Sequence, residues 1–235
     1  MGTLTCTEIS KMSVYFSLRD PDIMSKIESI EPLPGFCIVI DIVGSTALKS
    51  GLPRKWLSRI HDAFALARTY LHQLQPLKTI GDALMYYIPD GEMSDKHIQP
   101  LQLHLSLCFM VQEKEEHVFG TTKAAIAYCE EAYDVTFIEG TKDIYGRDID
   151  LTHRLQSLAR EGEIIMNEPF VKKVRANHRA APVPDDFPDV EKIKGPWPQR
   201  LKGFSDDVRV YKNPAGGTSL SRHLPAYLAP IQPSA

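Results

Sequence analysis

The segment FCIVIDIVGSTALKSG, residues 36–51, constrains this chain more than any other. Its apolar, β-branched run from Phe36 to Val43 is too hydrophobic to leave either face in water, so it reads as an interior strand. One carboxylate, Asp41, interrupts it. An unpaired charge there would cost several kcal/mol, so something positive must meet it. Gly44, Ser45 and Thr46 then turn the chain into a helix, and backbone amides at a helix start suit phosphate. A second apolar segment, LKTIGDALMYYIP at residues 77–89, breaks at Gly81-Asp82 as a tight hairpin does. Two carboxylates at strand ends beside such a turn are the local chemistry of a site for two divalent metal ions and a nucleoside triphosphate.

The remaining chain supplies a frame for that site. With 235 residues and 43% hydrophobic content it can build one domain with an ordinary core and short appendages. The net charge of -3 and the sequence pI near 6.2 give no whole-protein pull toward nucleic acid or an anionic membrane. No apolar run reaches the ~20 residues of a membrane helix, and no basic-then-apolar leader opens the sequence. Four cysteines without CxxC spacing read as reduced thiols, and a cytoplasmic location is expected. The histidines show no HxH or HExxH spacing.

Leu57, Ile60, Phe64, Ala67, Leu71 and Leu74 recur at three-and-four spacing, predicting a helix over 54–73 with these residues as its core stripe. Hairpin strands are expected over 77–80 and 83–88, with one of Tyr86 and Tyr87 facing outward. A second helix is expected over 94–113. Strands over 123–130 and 133–138 read as a second antiparallel pair. A third helix follows Tyr145-Gly146 and ends near Leu158; a short strand over 163–166 and a short helix over 169–177 come next. Residues 179–199, rich in proline and acid, read as a surface excursion, and 200–212 as a closing hairpin. Trp56 reads as a core or dimer anchor. The order implies an α+β fold, a mostly antiparallel sheet with packed helices. Boundaries are expected at 1–33 (N-terminal extension), 34–212 (catalytic domain) and 213–235 (a Pro/Gly-rich tail).

FCIVIDIVGSTAL and KTIGDALM resemble the two signature segments of class III nucleotidyl cyclases, the adenylate and guanylate cyclase superfamily. DIYGRDIDLTHRLQSLAREGEIIM is similar to the third, helix-bearing motif, and LKGFSDDVRVY to the closing strand pair. The resemblance runs from Phe36 to Tyr211 and implies the ferredoxin-like cyclase fold. It further implies that Asp41, Asp82 and the carbonyl of Ile42 hold two divalent ions, Mn²⁺ or Mg²⁺. Val43, Gly44, Ser45 and Thr46 match the triphosphate cradle, and Phe36 is counted with the substrate-binding residues. Lys78 and Asp143 fall where the family reads the base. Arg154 matches the arginine that neutralises the α-phosphate in the transition state. Lys202 matches a triphosphate lysine, and Lys123 another basic phosphate contact. In the family each site is shared across a head-to-tail homodimer, with the metal aspartates from one subunit and the base, Arg and Lys contacts from the other.

One position departs from the pattern. Asp150 stands where purine cyclases have an asparagine that touches the ribose. It can form an ordinary i, i+4 pair with Arg154, or it can mark rearranged ribose and transition-state contacts. GRDIDLTHRL is similar to the bacterial pyrimidine cyclases of the Pycsar antiphage system, which implies cyclic UMP or cyclic CMP as an alarm signal and a separate effector that responds to it. A lysine donor beside an aspartate acceptor suits adenine, cytosine or uracil alike. The expected activity is a uridylate cyclase preferring UTP to CTP. Adenylate cyclase and a catalytically weakened nucleotide-binding or dimerisation module are the alternatives.

Overall fold

Alternation of side chains along the apolar segments sets the architecture. The computed structural model describes residues 14–15, 22–112, 122–138, 141–180 and 190–213. In chain order its elements are β1 (Val14–Tyr15), α1 (Ile23–Glu28), β2 (Gly35–Ile42), α2 (Ser45–Gly51), α3 (Pro53–Tyr70), β3 (Lys78–Ile80), β4 (Ala83–Pro89), α4 (Asp90–Asp95) and α5 (Pro100–Gln112). There follow β5 (Thr122–Cys129), β6 (Tyr133–Thr136), β7 (Ile144–Tyr145), α6 (Arg147–Leu158), β8 (Ile164–Asn167), α7 (Glu168–Ala180), β9 (Lys194–Gln199) and β10 (Val208–Asn213).

Seven strands form one sheet in the order β3-β4-β2-β5-β8-β10-β9. Every pairing is antiparallel except β5 with β8. The fold is therefore α+β with a mostly antiparallel sheet, as expected. β2 is central and covered on both faces. Ile38, Ile40, Leu84, Tyr86 and Ile126 point into one core with α5 and α7, while Cys37, Val39, Met85, Tyr87 and Ala125 point into a second core with α6. Each fully buried aliphatic side chain here stabilises the fold by about 1.5–3 kcal/mol. No helix among the described residues is long and apolar enough to cross a membrane.

Several expectations are corrected. Both Tyr86 (1% exposed) and Tyr87 (7%) are buried, because helices cover both sides of β4; the Tyr87 hydroxyl donates to the Leu33 carbonyl. The single helix over 94–113 is two helices, because Pro100 lacks the amide a helix interior needs and instead opens α5. β5 and β6 do not pair with each other. β6 leaves the main sheet and joins β7 and β1 in a three-stranded one. β9 forms within the presumed surface excursion, where its prolines are tolerated at a sheet edge. Leu57, placed on the core stripe, is 57% exposed; Ala63, Leu66 and Ala67 carry the buried face of α3. Trp56 is half-buried, with the Lys49 ammonium 5.0 Å from its ring centre. Residues 1–13 and 16–21 of the N-terminal stretch, residues 181–189 of the 179–199 segment and the tail from 214 lie outside the described residues.

Candidate active site

β2 and the β3–β4 hairpin deliver the two carboxylates. Antiparallel pairing of β4 with β2 runs from Gly35 opposite Pro89 to Ile40 opposite Leu84, which brings the hairpin turn to the end of β2 that carries Asp41. Gly81 holds φ +65° in that turn, a left-handed conformation that favours glycine, and Asp82 follows it. Beyond Ile42 the chain reverses at Gly44, φ +72°, directly before α2. Asp41, Ile42, Val43, Gly44, Ser45, Thr46 and Asp82 all line one cleft of about 280 Å³. Lys123, Arg160 and Glu161 complete its wall.

Asp41 is met by positive and polar groups, as its place in an apolar strand requires. The Ile42 amide donates to Oδ1 at 2.9 Å. Gln156 Nε2 donates to Oδ2 at 2.5 Å, and Lys123 Nζ lies 3.5 Å from the same oxygen. Lys123 stands directly opposite Asp41 in the β2–β5 ladder, so register alone places it there. Asp82 differs: its Oδ2 is buried and has no hydrogen-bond partner. An orphaned carboxylate oxygen beside a second carboxylate and a main-chain carbonyl, all oxygen donors, fits hard divalent cations. Among the described residues no cluster of three or more His, Cys, Asp or Glu side chains has metal-binding geometry, so main-chain and substrate oxygens would have to complete the coordination.

Lys78, Asp143, Asp150 and Arg154 collect elsewhere, as a second group around His153. None of Lys78, Asp143, Asp150, Arg154 and Lys202 lines the cleft. Lys78 Nζ lies 2.5 Å from Asp143 Oδ1, which also accepts from the Ile144 amide at 2.8 Å. Both side chains of this pair are partly shielded from solvent. Arg154 and Asp150 are exposed on α6. Between them stands His153, whose pKa is lowered by burial first, then by Lys78 and Arg154, against the opposing pull of Asp150. Desolvation and then the Asp143 charge raise the pKa of Tyr145, which packs edge-on against Phe137 at 5.2 Å between ring centres. Lys202 is exposed between β9 and β10.

Phe36 is not part of either group. It lies five residues before Asp41, about 17 Å away along the strand, and is 2% exposed. Its ring packs edge-on against Tyr128 and Phe170. It is a core residue, because the same alternation that buries Ile38 and Ile40 buries it too.

Gln156, Arg160, Glu161 and Tyr145 carry no sequence expectation as site residues, and His153 stands only among the other histidines, which lack metal-ligand spacing. For Gln156 a signal existed: it follows Ile149 and Thr152 at three-and-four spacing, so a half-buried amide borders the buried stripe of α6.

No protein-family model matches the chain, and no curated protein does. Solved structures do match. The adenylyl cyclase CyaB from P. aeruginosa aligns with a TM-score of 0.58 at 16% identity, over 82% of this chain and 100% of that one. The guanylyl cyclase Cya2 aligns at 0.59 and 16% identity, over 82% and 99%. The guanylate cyclase domain of RhGC from Catenaria anguillulae, in complex with GTP, aligns at 0.55 and 14% identity, over 79% and 98%. At these identities the likeness is one of fold, and the fold is that of cyclase catalytic domains.

Proposed function

We propose that this chain is a metal-dependent nucleotidyl cyclase, converting UTP in preference to CTP into a 3′,5′-cyclic nucleotide and pyrophosphate. In this reading the product is a second messenger of bacterial antiphage defence, sensed by a separate effector. The observation that carries the cyclase reading is the cleft that gathers Asp41, the orphaned Asp82 Oδ2 and the turn at Val43–Thr46 on a cyclase-domain fold.

Asp41, Asp82 and the Ile42 carbonyl would hold two divalent ions, Mn²⁺ or Mg²⁺. Bound there, such ions supply Lewis-acid activation of the ribose 3′-hydroxyl and charge neutralisation at the phosphates. The protein's own groups do the rest. Residues 43–46 cradle the triphosphate, and Lys123, already beside Asp41, turns to a phosphate oxygen when cations take its place. The base, ribose and α-phosphate are met by the second group, supplied by a second copy of the chain, as the resemblance to head-to-tail cyclase dimers implies. Lys78 and Asp143 of the partner subunit exchange their mutual ion pair for contacts with the base edge. The partner subunit's Asp150 accepts from a ribose hydroxyl. The 3′-hydroxyl gives up its proton to solvent, its oxygen attacks the α-phosphate, the bond from the α-phosphorus to the bridging oxygen breaks, and pyrophosphate leaves. Arg154 of the partner subunit neutralises charge at the α-phosphate as this happens, and the partner's Lys202 holds the departing phosphates. The functional unit is thus a homodimer with two equivalent sites, built from the domain over 34–212.

Adenylate cyclase is the second reading. It is compatible with the Lys78–Asp143 pair, whose donor and acceptor suit adenine as well as uracil, and draws support from the likeness to an adenylyl cyclase. Incubation with ATP, GTP, CTP and UTP separately in Mn²⁺, with products identified by mass, tests both. Cyclic UMP should dominate. Cyclic AMP in excess would select the second reading, and no cyclic product from any substrate would reject the enzyme.

A further inference from the structure

We infer that Arg160 is a phosphate-binding residue, holding the terminal phosphates of the substrate from the same subunit that supplies Asp41 and Asp82. The inference rests on the nucleotide-cyclase reading and deepens it, because that reading draws its arginine from the partner.

Two observations carry it. The first is that the backbone of Arg160 is fixed by hydrogen bonds. α6 ends at Leu158, and Ala159 turns into extended conformation. The Arg160 amide donates to Glu163 Oε2 at 3.0 Å, and the Glu163 amide returns a bond to the Arg160 carbonyl at 3.0 Å. Gly162 ties the same turn to β5 by donating to the Thr122 carbonyl at 2.9 Å. Glu163 is itself buried and paired with Lys212 at 3.1 Å, so it is not available to the Arg160 guanidinium. The turn is therefore anchored to the residue next to Lys123, on the strand that faces Asp41.

The second observation is the company Arg160 keeps. Its side chain is exposed on the cleft wall, and among the described residues it has no ion-pair partner. The other cation lining the cleft, Lys123, is paired with Asp41 at 3.5 Å until metal ions displace it. Arg175 and Arg209, by contrast, engage the Ile193 carbonyl and Glu168. A guanidinium carries five donors in a planar fork that matches phosphate oxygens two at a time, and it stays charged at any working pH. Held on a hydrogen-bonded turn in the same cleft that residues 43–46 line, it is placed to contact phosphates bound there. A role as resident counter-ion to Asp41 or Asp82 is the competing account. It would make Arg160 matter to stability rather than to phosphate affinity.

Calorimetric titration of inorganic triphosphate in Mn²⁺ decides between them, using the full chain as wild type, Arg160→Ala and Arg160→Lys. Loss of one bidentate, charge-assisted contact is expected to weaken triphosphate binding about tenfold in Arg160→Ala, with partial recovery in Arg160→Lys. In turnover the nucleotide KM should rise by a similar factor while kcat changes less than about threefold, the split expected of uniform binding. Unchanged thermal midpoints would confirm that neither substitution acts through folding. Equal triphosphate affinity in wild type and Arg160→Ala overturns the assignment of Arg160 alone. A wild-type protein that binds no triphosphate overturns it together with the cyclase reading. Affinity lost in Arg160→Ala without any cyclic product in wild type upholds the phosphate site and removes the reaction.

Discussion

Replacing Asp82 by asparagine separates the stability of the cleft from its chemistry. Asp82 Oδ2 is buried without a partner, and Asp41 and Glu161 line the same cleft. Carboxylates that share a metal-free cleft repel one another, by about 1 kcal/mol for a close pair in water and more where water is excluded. Asp82 keeps part of its surface in water, which screens its charge, so the lower end of that range applies. Asparagine has nearly the same shape and no charge. Asp82→Asn is therefore expected to stabilise the metal-free protein by about 1 kcal/mol, a rise of roughly 2–4 °C in Tm for a chain of this size. Mn²⁺ should reverse the order. A ligand at a hundred times its Kd adds about 2.7 kcal/mol to a protein that binds it only when folded, and the variant has lost one of the oxygens that would hold it. The assay is thermal unfolding in chelator and again in saturating Mn²⁺, with cyclase activity followed in the same samples. The variant should be inactive, more stable in chelator and less stable in Mn²⁺. A variant less stable than wild type in chelator, or a Mn²⁺ shift equal in both proteins, would refute the reasoning.

Two further predictions follow from buried polar groups. Gln156 holds Asp41 Oδ2 at 2.5 Å, so Gln156→Leu should weaken the apparent Mn²⁺ affinity about 10- to 100-fold, read from the metal dependence of turnover; an unchanged Mn²⁺ curve would show that Asp41 needs no such support. His104 is fully buried on α5, and burial pushes its pKa from 6.5 down to about 4. The unfolded chain therefore binds a proton that the folded chain refuses between those values, and the stability tied to neutral His104 is intact above pH 6.5 and lost as pH falls toward 4. Urea unfolding should show wild type losing roughly 2 kcal/mol more than His104→Leu between pH 7 and pH 5; parallel pH profiles would contradict this.

The parts of the fold most legible in the sequence are those where one physical rule acts alone. The run from Phe36 is interior strand because no other element can bury so many β-branched side chains, and Gly81-Asp82 turns because glycine admits φ +65°. The misreadings occur where two rules compete. In α4–α5 the apolar spacing continues across Pro100, and periodicity alone does not reveal that the chain stops and restarts there. In β9 the prolines point to irregular chain, yet they are compatible with an outer strand, and whether a strand is outermost depends on residues far away in sequence. Tyr86 and Tyr87 illustrate the same dependence, since a strand shows alternation only when one of its faces is bare. The site divides likewise. Asp41, Asp82 and residues 43–46 were visible because a carboxylate in an apolar strand and a Gly-Ser-Thr turn are local anomalies. Arg160 looks like any surface arginine until the turn at 159–163 is seen to be tied to β5. Phe36, counted with the substrate-binding residues, is in the core instead, because only the far end of the same strand reaches the cleft.

The proposed division of labour, metal carboxylates from one subunit and Arg154 from the other, is tested most directly by mixing two inactive variants. Asp41→Ala homodimers lack both metal sites, and Arg154→Ala homodimers lack both transition-state arginines. A mixed dimer pairs the intact Asp41 of one chain with the intact Arg154 of the other, giving one working site of two. With free exchange of subunits half the dimers are mixed, so an equimolar mixture should return about a quarter of the wild-type rate of cyclic nucleotide formation. A mixture as inactive as its components, beside an active wild type and with subunit exchange verified, would contradict the shared site.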